Sequence, residues 1–140
     1  MRFVDTNVLL YAISRDPAEQ EHAARANELL AARDLGLSVQ VLQEFYVQAT
    51  RETRRDRLDH EQALALVESF TRFAVQELTT AVVLAAMGTR ERFRISYWDA
   101  AVIEAARALG CELVLSEDLS DGQDYAGVRV EDPFRDCAGA

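Results

Sequence analysis

Residues 3–13 read Phe-Val-Asp-Thr-Asn-Val-Leu-Leu-Tyr-Ala-Ile, and this stretch decides the fold class. Phe3 and Val4 predict a short buried strand, and residues 8–13 continue as a mostly apolar helix. Asp5 stands at the junction between the two elements. Where strands alternate with helices in this way, the sheet is mainly parallel and binds its ligands beyond the carboxyl ends of the strands. The polar residues that follow Val4 are therefore candidates for a binding site.

The rest of the chain continues this alternation of strand and helix. Asp16 and Pro17 open a helix that is predicted to run to about residue 33, and Ser96 opens one that Gly110 closes. Further strands are predicted at 37–39, 74–78, 112–115 and 128–130, and further helices at 41–49, from Asp59 to Phe73, and at 81–92 with Thr79 or Thr80 as cap. We therefore predict one α/β domain over residues 1–140, with a mainly parallel central sheet flanked by helices. From about residue 132 to 140 we expect a loose C-terminal tail.

The composition disfavours several classes of function. The chain has 140 residues, and 24 Asp and Glu against 15 basic residues give a formal net charge of -9. A protein that coats a nucleic-acid backbone is normally basic. Every basic residue is Arg, so the chain offers neither a Schiff-base amine nor a P-loop lysine. The two Cys and two His lie too far apart in the sequence for a structural zinc site. No apolar run is long enough to span a bilayer. We expect a cytoplasmic protein without a membrane partner.

Acidic residues stand where a parallel sheet binds its ligands. Asp5 follows the first strand, and Asp118 comes shortly after the strand at 112–115. Asp99 shares the apolar face of its helix with Ile103 and Ala106. A carboxylate on such a face is costly unless a positive group compensates its charge. A bound metal ion would supply that charge.

A fourth acid, Glu44, lies at the edge of the apolar stripe of the helix at 41–49. Each acid alone has a simpler explanation. Asp5 is then a helix cap and Asp118 an ordinary turn residue. Asp99 is then the partner of Ser96 in a capping box, and Glu44 is a solvated residue at the rim of its helix. Glu104, on the opposite helix face from Asp99, is expected to be solvated. If the four acids converge, hard oxygen ligands without His or Cys favour Mg²⁺ or Mn²⁺.

Four motifs surround these acids. They are, in chain order, Val4-Asp5-Thr6-Asn7-Val8-Leu9, Leu42-Gln43-Glu44-Phe45, Tyr97-Trp98-Asp99-Ala100 and Leu115-Ser116-Glu117-Asp118-Leu119. Their order and spacing resemble a PIN domain, particularly the VapC-type ribonuclease toxins of bacterial toxin–antitoxin pairs. The resemblance spans nearly the whole chain. It implies that Asp5, Glu44, Asp99 and Asp118 bind Mg²⁺ or Mn²⁺ and catalyse hydrolysis of RNA phosphodiester bonds.

The resemblance also implies further site residues and partners. Thr6 and Ser116 supply hydroxyls that line the substrate site. Asp121 is a candidate fifth acidic ligand, ranked after Asp118 and before Glu117. The implied partners are an RNA substrate, a cognate antitoxin protein and a second copy of the chain in a homodimer.

Two Arg-rich segments, 51–57 and 90–94, are local basic patches on the acidic chain. Such patches are usually solvated helix ends. The alternative hypothesis is that they supply phosphate contacts that an acidic site does not make, with Arg54 and Arg55 as the leading candidates.

Two other functions compete with the ribonuclease. One is a Mg²⁺-dependent phosphohydrolase of small phosphate esters with Asp5 as nucleophile. It is disfavoured because Asn7 stands where such enzymes generally need a second Asp, and because the chain has no Lys to stabilise a phosphoryl intermediate.

The other competing function is a non-catalytic PIN-like interaction module that docks an Arg-bearing partner in the acidic pocket. Retention of all four acids argues against it.

Overall fold

A six-stranded sheet forms the centre of the computed structural model, which describes residues 1–138. The strands are β1 (Arg2–Val4), β2 (Leu35–Ser38), β3 (Ala74–Gln76), β4 (Leu113–Leu115), β5 (Asp124–Tyr125) and β6 (Val128–Glu131). Their order across the sheet is β3-β2-β1-β4-β6-β5, and every neighbouring pair is parallel except β5 with β6. The predicted α/β architecture with a mainly parallel sheet is confirmed.

Six α-helices of the described chain flank this sheet. They are α1 (Thr6–Ala12), α2 (Gln20–Leu30), α3 (Val39–Ala49), α4 (His60–Phe70), α5 (Thr80–Phe93) and α6 (Tyr97–Ala108), and a 3-10 turn at Pro17–Glu19 precedes α2. Asp59, Thr79 and Ser96 cap α4, α5 and α6 as predicted, because each side chain accepts a backbone N–H of the first turn. None of these helices is long and apolar enough to cross a membrane.

Several predicted boundaries differ from the structure. The helix expected to reach Phe73 ends at Phe70, and the strand expected at 74–78 ends at Gln76. The helix expected to reach residue 33 ends at Leu30, and the Asp34 carbonyl already accepts from Arg2 N at 2.8 Å on the way into β2. The strand expected at 37–39 spans residues 35–38 instead. Ser38 Oγ accepts from Val41 N at 3.2 Å, so this serine caps α3 and Val39 is the first helical residue.

The direction of the chain across the sheet reverses between β1 and β4. The path from β1 leads outward through β2 to β3, and then returns to β4 on the other side of β1. Val4 is in register with Leu115, and Asp5 N donates to Leu115 O at 3.1 Å. Asp5 and Ser116 therefore leave the same edge of the sheet side by side. This reversal is the switch point where open α/β sheets bind ligands.

Helix α6 is covered on two sides, and this changes the expected environment of Glu104. Its residues 100–106 are all buried, since the sheet covers one face and α5 packs on another. Glu104 is only 6% exposed. It accepts from Thr89 Oγ1 at 2.8 Å and from Arg107 Nε at 2.9 Å. The prediction that Glu104 is solvated is wrong, because helical periodicity does not reveal a second covering layer.

A short hairpin at the sheet edge was not predicted from the sequence. Ala126 and Gly127 link β5 to β6 with φ of 54° and 98°, the left-handed conformations that a tight hairpin turn requires. The Arg107 guanidinium donates to Tyr125 O and Ala126 O, both at 2.6 Å, and so holds the turn against α6.

The segment after β6 packs against the domain. Phe134 is 2% exposed and stacks near Tyr11 and His22, and Ala138 N donates to Glu21 Oε2 at 2.6 Å. This arrangement differs from the loose tail expected from about residue 132. The last two residues of that expected tail, 139–140, lie outside the described part of the chain.

Candidate functional site

Asp5 is the most buried of the four predicted acids, with 6% of its surface exposed. It caps α1: Oδ1 accepts from Thr6 N at 2.8 Å, while Oδ2 accepts from Ser116 Oγ at 2.7 Å. Burial raises the pKa of Asp5 to about 6, although both hydrogen bonds oppose the rise. The charges of Asp118 and Glu44 raise this pKa further. A cation at this position would relieve the cost of ionising Asp5.

Ser116 and Asn7 hold the loop that carries Asp118. Ser116 Oγ accepts from Asn7 Nδ2 at 3.2 Å and from Asp118 N at 3.1 Å. Asn7 Nδ2 also donates to Asp118 Oδ2 at 3.1 Å. Ser116 is fully buried, and its hydroxyl makes hydrogen bonds only within the site. It therefore supports Asp5 and does not line the cleft, in contrast to the substrate contact that the sequence predicts.

Glu44 reaches the site from the second turn of α3. Thr6 Oγ1 donates to Glu44 Oε2 at 3.0 Å, and Gln40 Nε2 donates to Glu44 Oε1 at 3.1 Å. The same Gln40 amide lies 3.4 Å from Trp98 O, which links α3 to the start of α6. Thr6 thus connects Asp5, to which its backbone donates, with Glu44, to which its hydroxyl donates.

Asp99 forms one half of the predicted capping box, and its carboxyl lies among the other acids. Its backbone N–H donates to Ser96 Oγ at 3.1 Å, so Asp99 is part of the helix cap. Its half-buried carboxyl also faces the other acids: burial raises the pKa of Asp99, and the charges of Asp118 and Glu44 raise it further, against the lowering effect of Ser96. Asp99 therefore belongs electrostatically to the same cluster as Asp5.

The donor set of this cluster suits a hard divalent cation. Asp118 and Glu44 disfavour ionisation of both Asp5 and Asp99, so positive charge would stabilise all four together. Within residues 1–138, no three Asp, Glu, His or Cys side chains lie close enough together to bind one metal ion as a set, which is the least that a protein cage would need. Mg²⁺ does not need such a cage, because it commonly binds through one or two carboxylates and keeps several waters. The oxygen-only donors fit this mode of binding.

A cleft of about 270 Å³ opens beside the cluster. It is lined by Thr6, Asn7, Leu10, Tyr11, Glu19, Glu44, Gln48, Arg54, Glu117 and Asp118. The half-buried guanidinium of Arg54 is a basic group on this otherwise acidic wall. Its Nε lies 3.2 Å from Asp56 Oδ1, as in an ion pair, but makes no hydrogen bond. Arg54 Nε is therefore buried beside Asp56, and any contact with a ligand in the cleft falls to the terminal nitrogens of the guanidinium.

The remaining basic residues are placed differently. Arg55 is exposed and lines a neighbouring depression with Asp16 and Asp56 rather than the acidic cleft. At the end of α5, Arg90 and Arg94 pair with Glu91 at 3.8 and 3.6 Å. This second patch has the character of a solvated helix end.

The structure does not bring Asp121 to the cluster. Its Oδ1 accepts from Asp132 N at 2.8 Å, and its Oδ2 lies 3.3 Å from Arg135 Nη1. These two partners lower the pKa of Asp121, opposite to the direction at Asp5 and Asp99. Asp121 thus fastens the C-terminal segment. The expected ranking of Asp121 above Glu117 is reversed, because Glu117 lines the cleft and accepts from Tyr11 Oη at 2.7 Å.

Sequence reasoning missed two supporting residues, Asn7 and Gln40. In the sequence Asn7 indicates only that a second Asp is missing, but in the structure it joins Ser116 to Asp118. Gln40 stands one helical turn before Glu44, and this spacing is a signal for a side-chain hydrogen bond on one helix face.

The fold and the site together define an α/β domain with a carboxylate cluster at the switch point of a parallel sheet. The chain belongs to the PIN-domain family, since the family model described as "PIN domain" matches residues 2–120. A comparison with curated protein sequences gives no match.

Solved structures share this fold at low sequence identity. A toxin–antitoxin complex from Klebsiella pneumoniae superposes with a TM-score of 0.69 at 17% identity, covering 96% of this chain and 98% of that chain. VapC20 from Mycobacterium tuberculosis, described as a sarcin-ricin loop cleaving toxin, gives 0.65 at 21% identity over 84% and 92% of the two chains. DNA-bound VapBC from Salmonella typhimurium gives 0.64 at 22% identity over 94% and 97%.

Proposed function

We propose that this protein is a Mg²⁺- or Mn²⁺-dependent endoribonuclease and the toxin of a type II toxin–antitoxin pair. The observation that carries the proposal is the buried Asp5, whose pKa is raised to about 6 within a cluster of four acids at the switch point of a PIN-domain sheet. A charge cluster of this kind is costly as a structural element and useful as a cation site.

Asp5, Glu44, Asp99 and Asp118 are the acids proposed to surround the metal, and one or two of them would bind it directly. When bound, such an ion lowers the pKa of a coordinated water and stabilises negative charge on a phosphate. The chain itself orients these acids: Ser116 and Thr6 fix Asp5, and Thr6 also fixes Glu44. Water is the nucleophile in this proposal, because the sequence pairs no Ser or Cys with a His.

Arg54 is the residue proposed to contact a substrate phosphate. It lines the same cleft as Glu44 and Asp118, with its Nε buried beside Asp56 and the terminal nitrogens of its guanidinium proposed to contact the phosphate. Guanidinium groups bind phosphate oxygens in a fork geometry. Arg55 lines the adjacent depression and is proposed to contact the RNA farther from the site of cleavage.

The proposed protein partners are a cognate antitoxin and a second copy of the chain. The antitoxin is supported by the structures that share the fold, one of which is described as a toxin–antitoxin complex and another as DNA-bound VapBC. A short DNA-binding protein encoded immediately upstream would support this partner, and its co-purification with the chain would test it. The homodimer is tested by the molar mass of the purified chain in solution.

Cleavage of single-stranded RNA by the purified chain tests the activity. We expect EDTA to abolish cleavage and Mg²⁺ or Mn²⁺ to restore it. Asp99→Asn should be inactive yet folded, while Glu112→Gln, which removes an exposed acid elsewhere on the domain, should be fully active. Cleavage that ignores EDTA, or a fully active Asp99→Asn, would overturn the proposal.

The same preparation separates the competing functions. Hydrolysis of a chromogenic phosphomonoester in place of RNA would indicate a phosphohydrolase of small esters. Absence of both activities in a folded, metal-loaded protein would indicate a non-catalytic interaction module.

A further inference from the structure

Gln40 is a half-buried residue of α3 that links the two helices carrying Glu44 and Asp99. Its Nε2 donates to Glu44 Oε1 at 3.1 Å and lies 3.4 Å from the carbonyl oxygen of Trp98, the residue directly before Asp99. Both neighbours are acceptors, so the amide presents its NH₂ group to them, with one N–H for each. Gln40 therefore reaches from the carboxyl of Glu44 to the backbone beside Asp99.

The bond from Gln40 completes the support of the Glu44 carboxylate. Oε2 accepts from Thr6 Oγ1 at 3.0 Å, while Oε1 accepts from Gln40, so both oxygens are held. A carboxylate oxygen accepts more than one hydrogen bond, and each oxygen thus keeps a lone pair for a cation. A glutamate side chain that moves freely loses conformational entropy when it binds a ligand. Fixing it beforehand removes that cost from the binding step.

The second contact of Gln40 connects parts of the site that belong to different layers of packing. Helix α6, which carries Asp99, packs on α5 and on the sheet rather than on α3. The acids reach the site from separate elements, and within residues 1–138 no three of them form a ready-made set of metal ligands. The attraction for a cation therefore depends on how well these elements are held relative to one another. Residues that orient metal ligands without binding the metal typically change metal affinity when they are replaced.

We propose that Gln40 is a positioning residue that sets the affinity of the acidic cluster for its divalent cation, because it fixes Glu44 and ties α3 to the start of α6. The inference rests on the proposed metal-dependent function and adds to it a neutral residue outside the four acids. Gln40 acts through Glu44 and through the backbone beside Asp99, and is not itself a ligand.

Isothermal titration calorimetry of the full chain with Mn²⁺ measures this affinity without RNA. Gln40→Met nearly keeps the length of the side chain and removes the amide donor. Gln43→Met makes the same change at an exposed position of the same helix and serves as the control. We expect the Kd for Mn²⁺ to rise roughly 10- to 100-fold in Gln40→Met and to remain at the wild-type value in Gln43→Met.

A second variant keeps the test open if Gln40→Met fails to fold, which circular dichroism in EDTA shows. Gln40→Asn retains the amide on a side chain one methylene shorter. It should also raise the Kd for Mn²⁺, because the shorter side chain no longer reaches both acceptors. A wild-type Kd in a folded Gln40→Met or Gln40→Asn overturns the positioning role and leaves the ribonuclease proposal intact.

Cleavage kinetics separate positioning from general damage to the site. The Mn²⁺ concentration for half-maximal cleavage should rise in Gln40→Met by the same factor as the Kd. At saturating Mn²⁺ its kcat, and its KM for RNA, should return close to the wild-type values. A loss of kcat that saturating Mn²⁺ does not restore overturns the proposal, since the effect of Gln40 is then not on cation affinity. A wild-type chain that neither binds Mn²⁺ nor cleaves RNA overturns both proposals together.

Discussion

Replacing Asp5 by Asn should change stability in opposite directions at acidic and neutral pH. The pKa of Asp5 rises from 3.8 to about 6 on folding. The folded protein therefore binds more protons than the unfolded chain between pH 4 and pH 6, and the metal-free protein loses stability as pH rises through this window. A rise of this size corresponds to about 3 kcal/mol lost above pH 6. Below pH 4 this cost is absent.

The Asn side chain removes the buried charge but retains the helix cap. Its carbonyl oxygen still accepts from Thr6 N, whereas the bond from Ser116 Oγ to Asp5 is lost, at a cost of about 1 kcal/mol. In EDTA at pH 7.5 we expect Asp5→Asn to be more stable than wild type by about 1–2 kcal/mol. At pH 4 it should be less stable by about 1 kcal/mol.

Urea denaturation followed by circular dichroism, at both pH values, measures these differences. The comparison with wild type is essential, because Asp34, Asp56 and Asp121 have lowered pKa values and destabilise both proteins alike as pH falls. Adding Mg²⁺ at pH 7.5 should stabilise wild type more than the variant. If Asp5→Asn lowered the free energy of unfolding equally at both pH values, ionisation of Asp5 would not cost stability in the absence of a cation.

Three further predictions concern groups outside the cluster. Arg54→Ala should weaken RNA binding and reduce the magnitude of the slope of the logarithm of the RNA association constant against the logarithm of salt concentration by about 1. Arg94→Ala should leave this slope unchanged. Filter binding across a salt series measures both slopes. Asp121→Asn should retain wild-type RNA cleavage but expose the segment after β6 to limited proteolysis, because Asp121 holds that segment. Loss of cleavage would instead indicate that Asp121 is a metal ligand. Glu104→Ala should lower the free energy of unfolding, measured by urea denaturation, by about 2–3 kcal/mol, since Arg107 loses its buried partner. An unchanged free energy of unfolding would contradict the hydrogen bonds that Glu104 makes with Thr89 and Arg107.

The features that the sequence predicted correctly depend on local geometry. A cap such as Asp59 or Ser96 acts within one helical turn, so its residue type and spacing are visible in the chain. The alternation of strands and helices implies a parallel sheet, and a parallel sheet brings strand-end residues such as Asp5 and Asp118 to one edge. The fold, and the position of Asp5 and Asp118 at one edge of the sheet, can therefore be predicted from the sequence alone.

The features that it missed depend on contacts between distant segments. The bond from Ser116 to Asp5 spans 111 residues, and no local pattern distinguishes a buried supporting hydroxyl from one that contacts substrate. The closeness of Asp121 to Asp118 in sequence predicts a ligand, but contacts with Asp132 N and Arg135 decide where its side chain lies. Glu104 is polar and lies opposite Asp99 on the helix, so its burial follows only from the docking of α5.

The raised pKa of Asp5 links the stability of this protein to the conditions in which its site can work. Below about pH 6 the carboxyl keeps its proton, and the proposed cation would have to displace that proton to bind. Above pH 6 the ionised cluster destabilises the metal-free fold, so the free energy of binding a cation includes the relief of that cost. The net charge of -9 thus argues against a protein that coats RNA, but it agrees with one that meets a single phosphate through a cation and Arg54.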